Sequence, residues 1–335
     1  MTPMTPRAFA LCLIPSLLLP VVAASAEEAP AETAGPVQPD AAPAADHPAN
    51  TATGIAGDDA MLRAQVLLAR ARFSPGEIDG KGGDNTRRAL EAFQRSRDLA
   101  PDGTLDEATW RALDADGAPV LVEYELTADD VAGPFQRLPE DMMEKAGRAA
   151  LGYESVEEAL GEKFHASPAL LQRLNPDTVL VAGTRIVVPQ TSGAAPLTGI
   201  ATVVVDRSDS VVRLLDADDR VVAQFPASTG SEHDPLPLGD WTIKGVARDP
   251  VFHYNPELFW NADPAHAKAT LPPGPNSPVG VAWVDLSKEH YGIHGTPAPA
   301  QVGKTSSNGC IRLTNWDVRV LAAAVKPGTP AVLQE

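Results

Sequence analysis

Two residues near the C-terminus, His294 and Cys310, stand 16 positions apart in segments whose composition suits nucleophilic chemistry. The first lies in His290-Tyr291-Gly292-Ile293-His294-Gly295-Thr296, the second in Lys304-Thr305-Ser306-Ser307-Asn308-Gly309-Cys310-Ile311-Arg312-Leu313. A thiol attacks as its thiolate, so it needs a base within reach, and a neighbouring imidazole supplies one. Gly295 and Gly309 flank the pair. Glycine permits the backbone angles and close approach that expose a nucleophile and aim N–H groups at an oxyanion. Ser306, Ser307 and Asn308 bring polar atoms and no large apolar side chain, a rare setting for a buried structural cysteine. If the two side chains meet, His294 should hold the Cys310 thiol below the ordinary range, with Lys304 a lesser source of positive charge.

A metal reading competes. His233, His253, His266 and His290 share this region, and His290-x-x-x-His294 has the i, i+4 spacing of a helical zinc pair. But Gly292-Ile293 between them, and Gly295 after, read as strand, where i and i+4 lie much further apart. No acidic residue follows at a recognisable spacing, so neither metal nor cofactor is expected. Tyr291 is a candidate wall of the site. His253, in Val251-Phe252-His253-Tyr254-Asn255-Pro256, is expected to line the cleft or to support the long loop to Gly274.

The elements that must hold these residues are strands. Short β-branched runs occur at 202–205, 211–215, 221–225, 241–246, 279–285 and 331–333, separated by turn residues. Many short strands with little helix predict a β-sandwich or a closed sheet across residues 198–335. One helix is predicted over 316–325, capped by Asn315 and stopped by Lys326-Pro327-Gly328.

Upstream the chain divides further. Residues 58–116 predict a small all-α bundle, with an apolar stripe from Met61 to Ala71, a second helix beginning at Asp84-Asn85, and a third capped by Asp106. The pattern Asp-Gly followed by Thr-x-x-x-Leu occurs at Asp79, Thr86 and Leu90 and again at Asp102, Thr109 and Leu113, so the bundle reads as an internal repeat. With no catalytic pair of its own, it is expected to anchor the enzyme and to be dispensable for the chemical step. Residues 119–190 predict an α+β module: a blurred opening strand near 124–130, a polar helical insert near 140–158, a helix begun by Ser167-Pro168, and a closing strand at Ile186-Val187-Val188-Pro189.

The N-terminus reads as an export signal, residues 1–26: Arg7, an apolar run to Val22, then the small-residue site Ala24-Ser25-Ala26. An Ala/Pro-rich tether with hardly a large apolar residue fills 27–57. Of two cysteines only Cys310 survives cleavage, so no internal disulfide is available to it. A formal net charge of −17 argues against nucleic acid as a partner. No integral membrane segment is expected after cleavage.

Three resemblances sharpen this reading. Ile293-His294-Gly295-Thr296 with Ser307-Asn308-Gly309-Cys310-Ile311-Arg312-Leu313, and upstream Pro237-x-Gly239-x-Trp241-x-Ile243, resemble the YkuD-type catalytic domain of the L,D-transpeptidases over residues 198–335. Ala64-Gln65-Val66-Leu67-Leu68, Gly76-x-Ile78-Asp79-Gly80, Thr86, Ala92-Phe93-Gln94 and Asp102-Gly103-x-Leu105-Asp106 resemble the peptidoglycan-binding type 1 domain. Residues 119–190 resemble a LysM glycan-binding module with an insert.

The first resemblance implies a reaction. Cys310 would attack the L-to-D peptide bond of a tetrapeptide stem, forming a thioester that passes to an amine. His294 would be the base, with the Gly295 carbonyl as its partner. The Gly309 and Cys310 N–H groups would line an oxyanion hole. Arg312 would hold a substrate carboxylate or pair with Asp317; Ser307, Asn308, Tyr291 and His253 complete the substrate-binding candidates. Asn308 departs from the family, which commonly has His there. The implied partners are peptidoglycan stem peptides and glycan strands, with an outer-membrane lipoprotein as one acceptor, in the periplasm. Water as acceptor would give an L,D-carboxypeptidase. Peptidases of the NlpC/P60 type place Cys before His, the reverse of this order, and a non-catalytic wall-binding protein would not need the His–Cys block.

Overall fold

The computed structural model describes residues 59–335, which fall within one compact unit. The expected signal peptide and tether lie outside the described residues. Helix α1 (Ala60–Arg70) is capped by Asp59, whose carboxylate accepts from the Leu62 N–H at 3.1 Å. Helix α2 (Asp84–Ser96) begins after Gly83 with no side-chain cap; neither Asp84 nor Asn85 caps it. Asn85 instead donates to the Val302 carbonyl at 2.8 Å. Helix α3 (Glu107–Leu113) is capped by Asp106 as its sequence predicts. The repeat has a physical basis in two buried glutamines. Gln65 donates to Asp79, Lys81 and Thr86, and Gln94 donates in the same way to Asp102, Thr104 and Thr109. Each glutamine ties an Asp-Gly turn to the helix that follows.

Next comes strand β1 (Leu121–Glu125), then helices α4 (Met142–Ala146), α5 (Val156–Phe164) and α6 (Pro168–Leu174), and strand β2 (Arg185–Pro189), which pairs antiparallel with β1. The opening strand is therefore present and sharp, lying earlier than expected. The insert holds much less helix than expected: α4 stops after five residues at Gly147, and a fresh cap at Ser155 starts α5.

The C-terminal region is mainly β: β3 (Thr202–Asp206), β4 (Val211–Leu215), β5 (Val221–Pro226), β6 (Gly239–Arg248), β7 (Phe252–Tyr254), β8 (Ala269–Leu271), β9 (Ala282–Leu286), β10 (Gly292–His294), β11 (Ile311–Arg312), helix α7 (Asn315–Ala324) and β12 (Pro330–Gln334). Eight strands form one sheet in the order β11-β10-β9-β6-β12-β3-β4-β5, and β7-β8 is a separate hairpin. The chain leaving β5 reaches the opposite edge of that sheet. There Ser228 and Arg312 exchange both backbone hydrogen bonds, at 3.0 and 2.9 Å. The segment after β5 thus curls round to cover the β11 edge beside Cys310. Helix α7 is capped by Thr314, not Asn315; Asn315 is inside the helix with other work for its amide.

The N-terminal bundle packs into the rest of the described chain. Leu62, Val66 and Ile78 share one apolar core with Leu121, Leu160, Leu170 and Ile186 of the neighbouring module. Ser74 and Gln224 extend the β5 edge through Ser74 N–H to Gln224 O and Gln224 N–H to Arg72 O, both 2.9 Å. The insert reaches the β7-β8 hairpin: Leu151, Tyr254 and Leu271 form a small shared core, and Asp141 meets His266 at 2.7 Å.

Candidate active site

The parallel pairing of β10 with β11 sets Ile293 opposite Ile311 and His294 opposite Arg312. Side chains alternate along a strand. Ile293 and Ile311, both fully buried, therefore fill the sheet core, while His294, Arg312 and the preceding Cys310 belong to the other face. Cys310 and His294 are diagonal neighbours there.

His294 is almost fully buried. Its Nδ1 lies 2.7 Å from the Gly295 carbonyl oxygen. A carbonyl only accepts, so Nδ1 carries a proton, and in the neutral ring the lone pair is on Nε2. Trp283, across from His294 in the β9–β10 register, stacks on the imidazole at 5.3 Å between centroids and 11° between planes. A Cβ on Gly292 would meet that indole at 2.4 Å, so only glycine leaves it room.

Burial holds His294 well below the usual imidazole range, at about 4, with the Arg312 charge acting the same way and the Gly295 carbonyl opposing. Burial also pushes the Cys310 thiol up, against the Gly292 N–H and the Arg312 charge. Burial thus favours the neutral form of both groups. This corrects the expectation of a depressed thiol. The imidazolium that would lower it is itself suppressed by burial, and the cation acting on both groups is Arg312, not exposed Lys304.

The remaining candidates divide by place. Gly309 takes φ of 94°, a left-handed backbone suited to glycine, and a Cβ there would meet the Tyr291 ring at 3.0 Å. Tyr291 therefore walls the Gly309–Cys310 turn. The Ser307 hydroxyl donates to the Cys310 carbonyl and its N–H to the Thr229 carbonyl, which fixes the loop from within. Cys310 is half-buried, and its thiol faces the His290 carbonyl at 3.6 Å. Arg312 donates to the Ser306 carbonyl while its Nε is buried without a partner among the described residues. It does not pair with Asp317, which accepts from Ser74 at 2.8 Å and from its own helix cap. Asn308 is exposed. His253 is not drawn into the site; it lies exposed on the β7-β8 hairpin, 3.3 Å from Thr270.

Sequence reasoning missed Trp283 and Asn315. Trp283 alternates with buried Ala282 and Val284, so its outward facing was readable, but its partner depends on sheet register. Asn315 has no such signal.

The arrangement suits thiol acyl transfer: a buried imidazole bonded through Nδ1, a thiol on the same face of the neighbouring strand, and a guanidinium whose charge acts on both. A model of the L,D-transpeptidase catalytic domain matches residues 200–333, and a model of a putative peptidoglycan binding domain matches residues 57–113. The chain is 31% identical over 175 residues to the putative L,D-transpeptidase YkuD of Bacillus licheniformis, covering 51% of this chain and 89% of that one. It is 31% identical over 173 residues to the putative L,D-transpeptidase YkuD of Bacillus subtilis, covering 51% and 88%. A solved L,D-transpeptidase from Xylanimonas cellulosilytica is 18% identical, with a TM-score of 0.34, covering 87% of this chain and 98% of that one.

Proposed function

The chain belongs to the L,D-transpeptidase family, and on that footing we propose that Cys310 is its nucleophile and His294 its base, acting on peptidoglycan stem peptides. His294 Nε2 takes the Cys310 thiol proton as sulfur attacks the carbonyl carbon of the L-to-D bond in a tetrapeptide stem. The oxyanion is met by the Gly309 and Cys310 N–H groups. Collapse breaks the peptide bond, the His294 proton goes to the departing amine, and terminal D-alanine leaves. An acceptor amine then gives its proton to His294, attacks the thioester, and frees the thiol. The acceptors we favour are the side-chain amine of a neighbouring diaminopimelate, giving a cross-link, and the amine of an outer-membrane lipoprotein.

The observation that carries this reading is the 2.7 Å bond from His294 Nδ1 to the Gly295 carbonyl. It fixes the proton on Nδ1, so in the neutral ring that burial favours the lone pair is on Nε2, the form a general base requires. Arg312, whose buried Nε has no partner among the described residues and whose charge acts on Cys310, suits a substrate carboxylate. Tyr291, Ser307 and Asn308 then shape the acyl-donor side, with Asn308 offering an exposed amide where many members offer imidazole. Residues 58–116 hold peptidoglycan, and residues 119–190 meet glycan strands. The export signal read at residues 1–26 places the mature enzyme in the periplasm against the wall. The test is mass analysis of muropeptides after incubation with tetrapeptide-rich sacculi. New cross-links support the amine acceptor; tripeptides alone would turn the reading to a carboxypeptidase.

A further inference from the structure

We propose that Glu162, on α5 outside the catalytic domain, is a positioning residue for His294 and acts through Asn315. The contacts form a continuous line. Glu162 Oε1 accepts from Asn315 Nδ2 at 3.0 Å. The same Nδ2 donates to the Pro275 carbonyl at 3.1 Å, and Asn315 Oδ1 accepts from the Val281 N–H at 3.3 Å. Both amide protons and the amide oxygen are therefore in use, and Asn315 is fully buried. Held this way, Asn315 lies flush against the backbone at the base. A Cβ on Gly295 would meet Asn315 Oδ1 at 2.2 Å, and one on Gly280 would meet it at 2.1 Å. Gly295 is the residue whose carbonyl fixes the His294 tautomer.

Glu162 is the only side chain in this line that comes from outside the catalytic domain. Its setting is costly. The residue is buried, and Oε2 has no hydrogen-bond partner among the described residues. An orphaned buried oxygen calls for a compensating role, and fixing Asn315 is the contact this carboxyl makes. Burial pushes it up to about 7, so at neutral pH it is readily protonated and Oε1 can still accept. Without this acceptor one Asn315 amide proton is left unmade in a dry site, and the amide turns to recover it. The backing of Gly295 then loosens, and with it the aim of the imidazole.

The proposal rests on His294 being the base, so the test carries a readout that does not depend on turnover. Three variants are needed. Glu162→Met removes the acceptor at similar volume. Glu162→Asp keeps the charge but withdraws the oxygen by one methylene, and guards against a misfolded Met variant. Glu162→Gln keeps an acceptor for Asn315. Turnover of a soluble tetrapeptide donor is measured with nitrogen NMR of the His294 ring. Met and Asp should lower kcat by about 10- to 100-fold, the scale of a small misplacement far from the chemistry. KM should stay within about twofold, and the His294 ring should become a tautomer mixture. Gln should stay near the parent in both readouts. Parental kcat and a single Nδ1–H tautomer in both Met and Asp would overturn the proposal. A tautomer change without any loss of turnover would instead count against His294 as base.

Discussion

The indole of Trp283 lies parallel to the imidazole of His294, 5.3 Å between centroids and 11° from coplanar. The stack shuts one face of the base from water and contributes to the burial that holds it at about 4. Trp283→Leu should let the His294 value climb toward the ordinary 6.5 and lower kcat by about tenfold as the ring gains freedom. An NMR titration of His294 in parent and variant reads the first effect. An unmoved titration would mean the indole contributes nothing to desolvation.

A second prediction concerns the thiol. Burial raises Cys310 above the ordinary thiol, and Arg312 opposes that rise. Alkylation of Cys310 should therefore climb only on the alkaline side, with no plateau at low pH. Arg312→Gln removes a charge that favours the thiolate, so its profile should shift to still higher pH. It should also raise the His294 value, since the same charge depresses it. A reactive plateau below pH 6 in the parent would restore the ion-pair picture that spacing alone suggests.

A third prediction turns on Ser74 and Asp317, which meet at 2.8 Å between the N-terminal bundle and α7. Burial raises Asp317 from 3.8 to about 7, against the hydrogen bonds from Thr314 and Ser74. The folded state thus binds a proton that the unfolded chain releases. The contribution is fully present below pH 3.8 and is lost as pH rises through about 7. Urea midpoints should fall between pH 5 and pH 8 more steeply in the parent than in Asp317→Asn. Equal slopes would show that Asp317 is ionised in the folded protein.

The same interface changes what truncation should do. Removing residues 59–116 strips Ser74 from Asp317, Asn85 from the Val302 carbonyl, and residues 72–74 from the β5 edge. The remainder should melt several degrees lower and turn over a soluble stem peptide more slowly, beyond any loss of sacculus binding. Calorimetry and a soluble-substrate assay check both. An unchanged melting temperature with unchanged turnover would return the bundle to the status of a detachable anchor.

Much of this was legible in sequence, and what was not has physical reasons. Strands β3, β4, β5 and β12 follow from β-branched runs cut by turn residues, and Asp106 and Ser167 cap the helices they precede. Cys310 and His294 stand out as candidates because glycines and small polar residues leave a thiol few other uses. The sequence offers Asn315 as a cap, but Thr314, one residue earlier, has an equally suitable side chain and takes that place. Trp283 and Glu162 were invisible for another reason. Their partners are fixed by sheet register and by packing between modules, which local pattern does not encode.

The central claim is that Cys310 carries the acyl group and His294 moves the proton. Intact-protein mass spectrometry during turnover of a tetrapeptide donor tests it most directly. The parent should gain the mass of the acyl stem with D-alanine lost, on the peptide containing Cys310. His294→Ala should acylate at least about 100-fold more slowly, the lower end of the range for a positioned acid–base group, and Cys310→Ala should not acylate at all. D-alanine release by Cys310→Ala at near the parental rate, or an adduct elsewhere on the chain, would contradict the account.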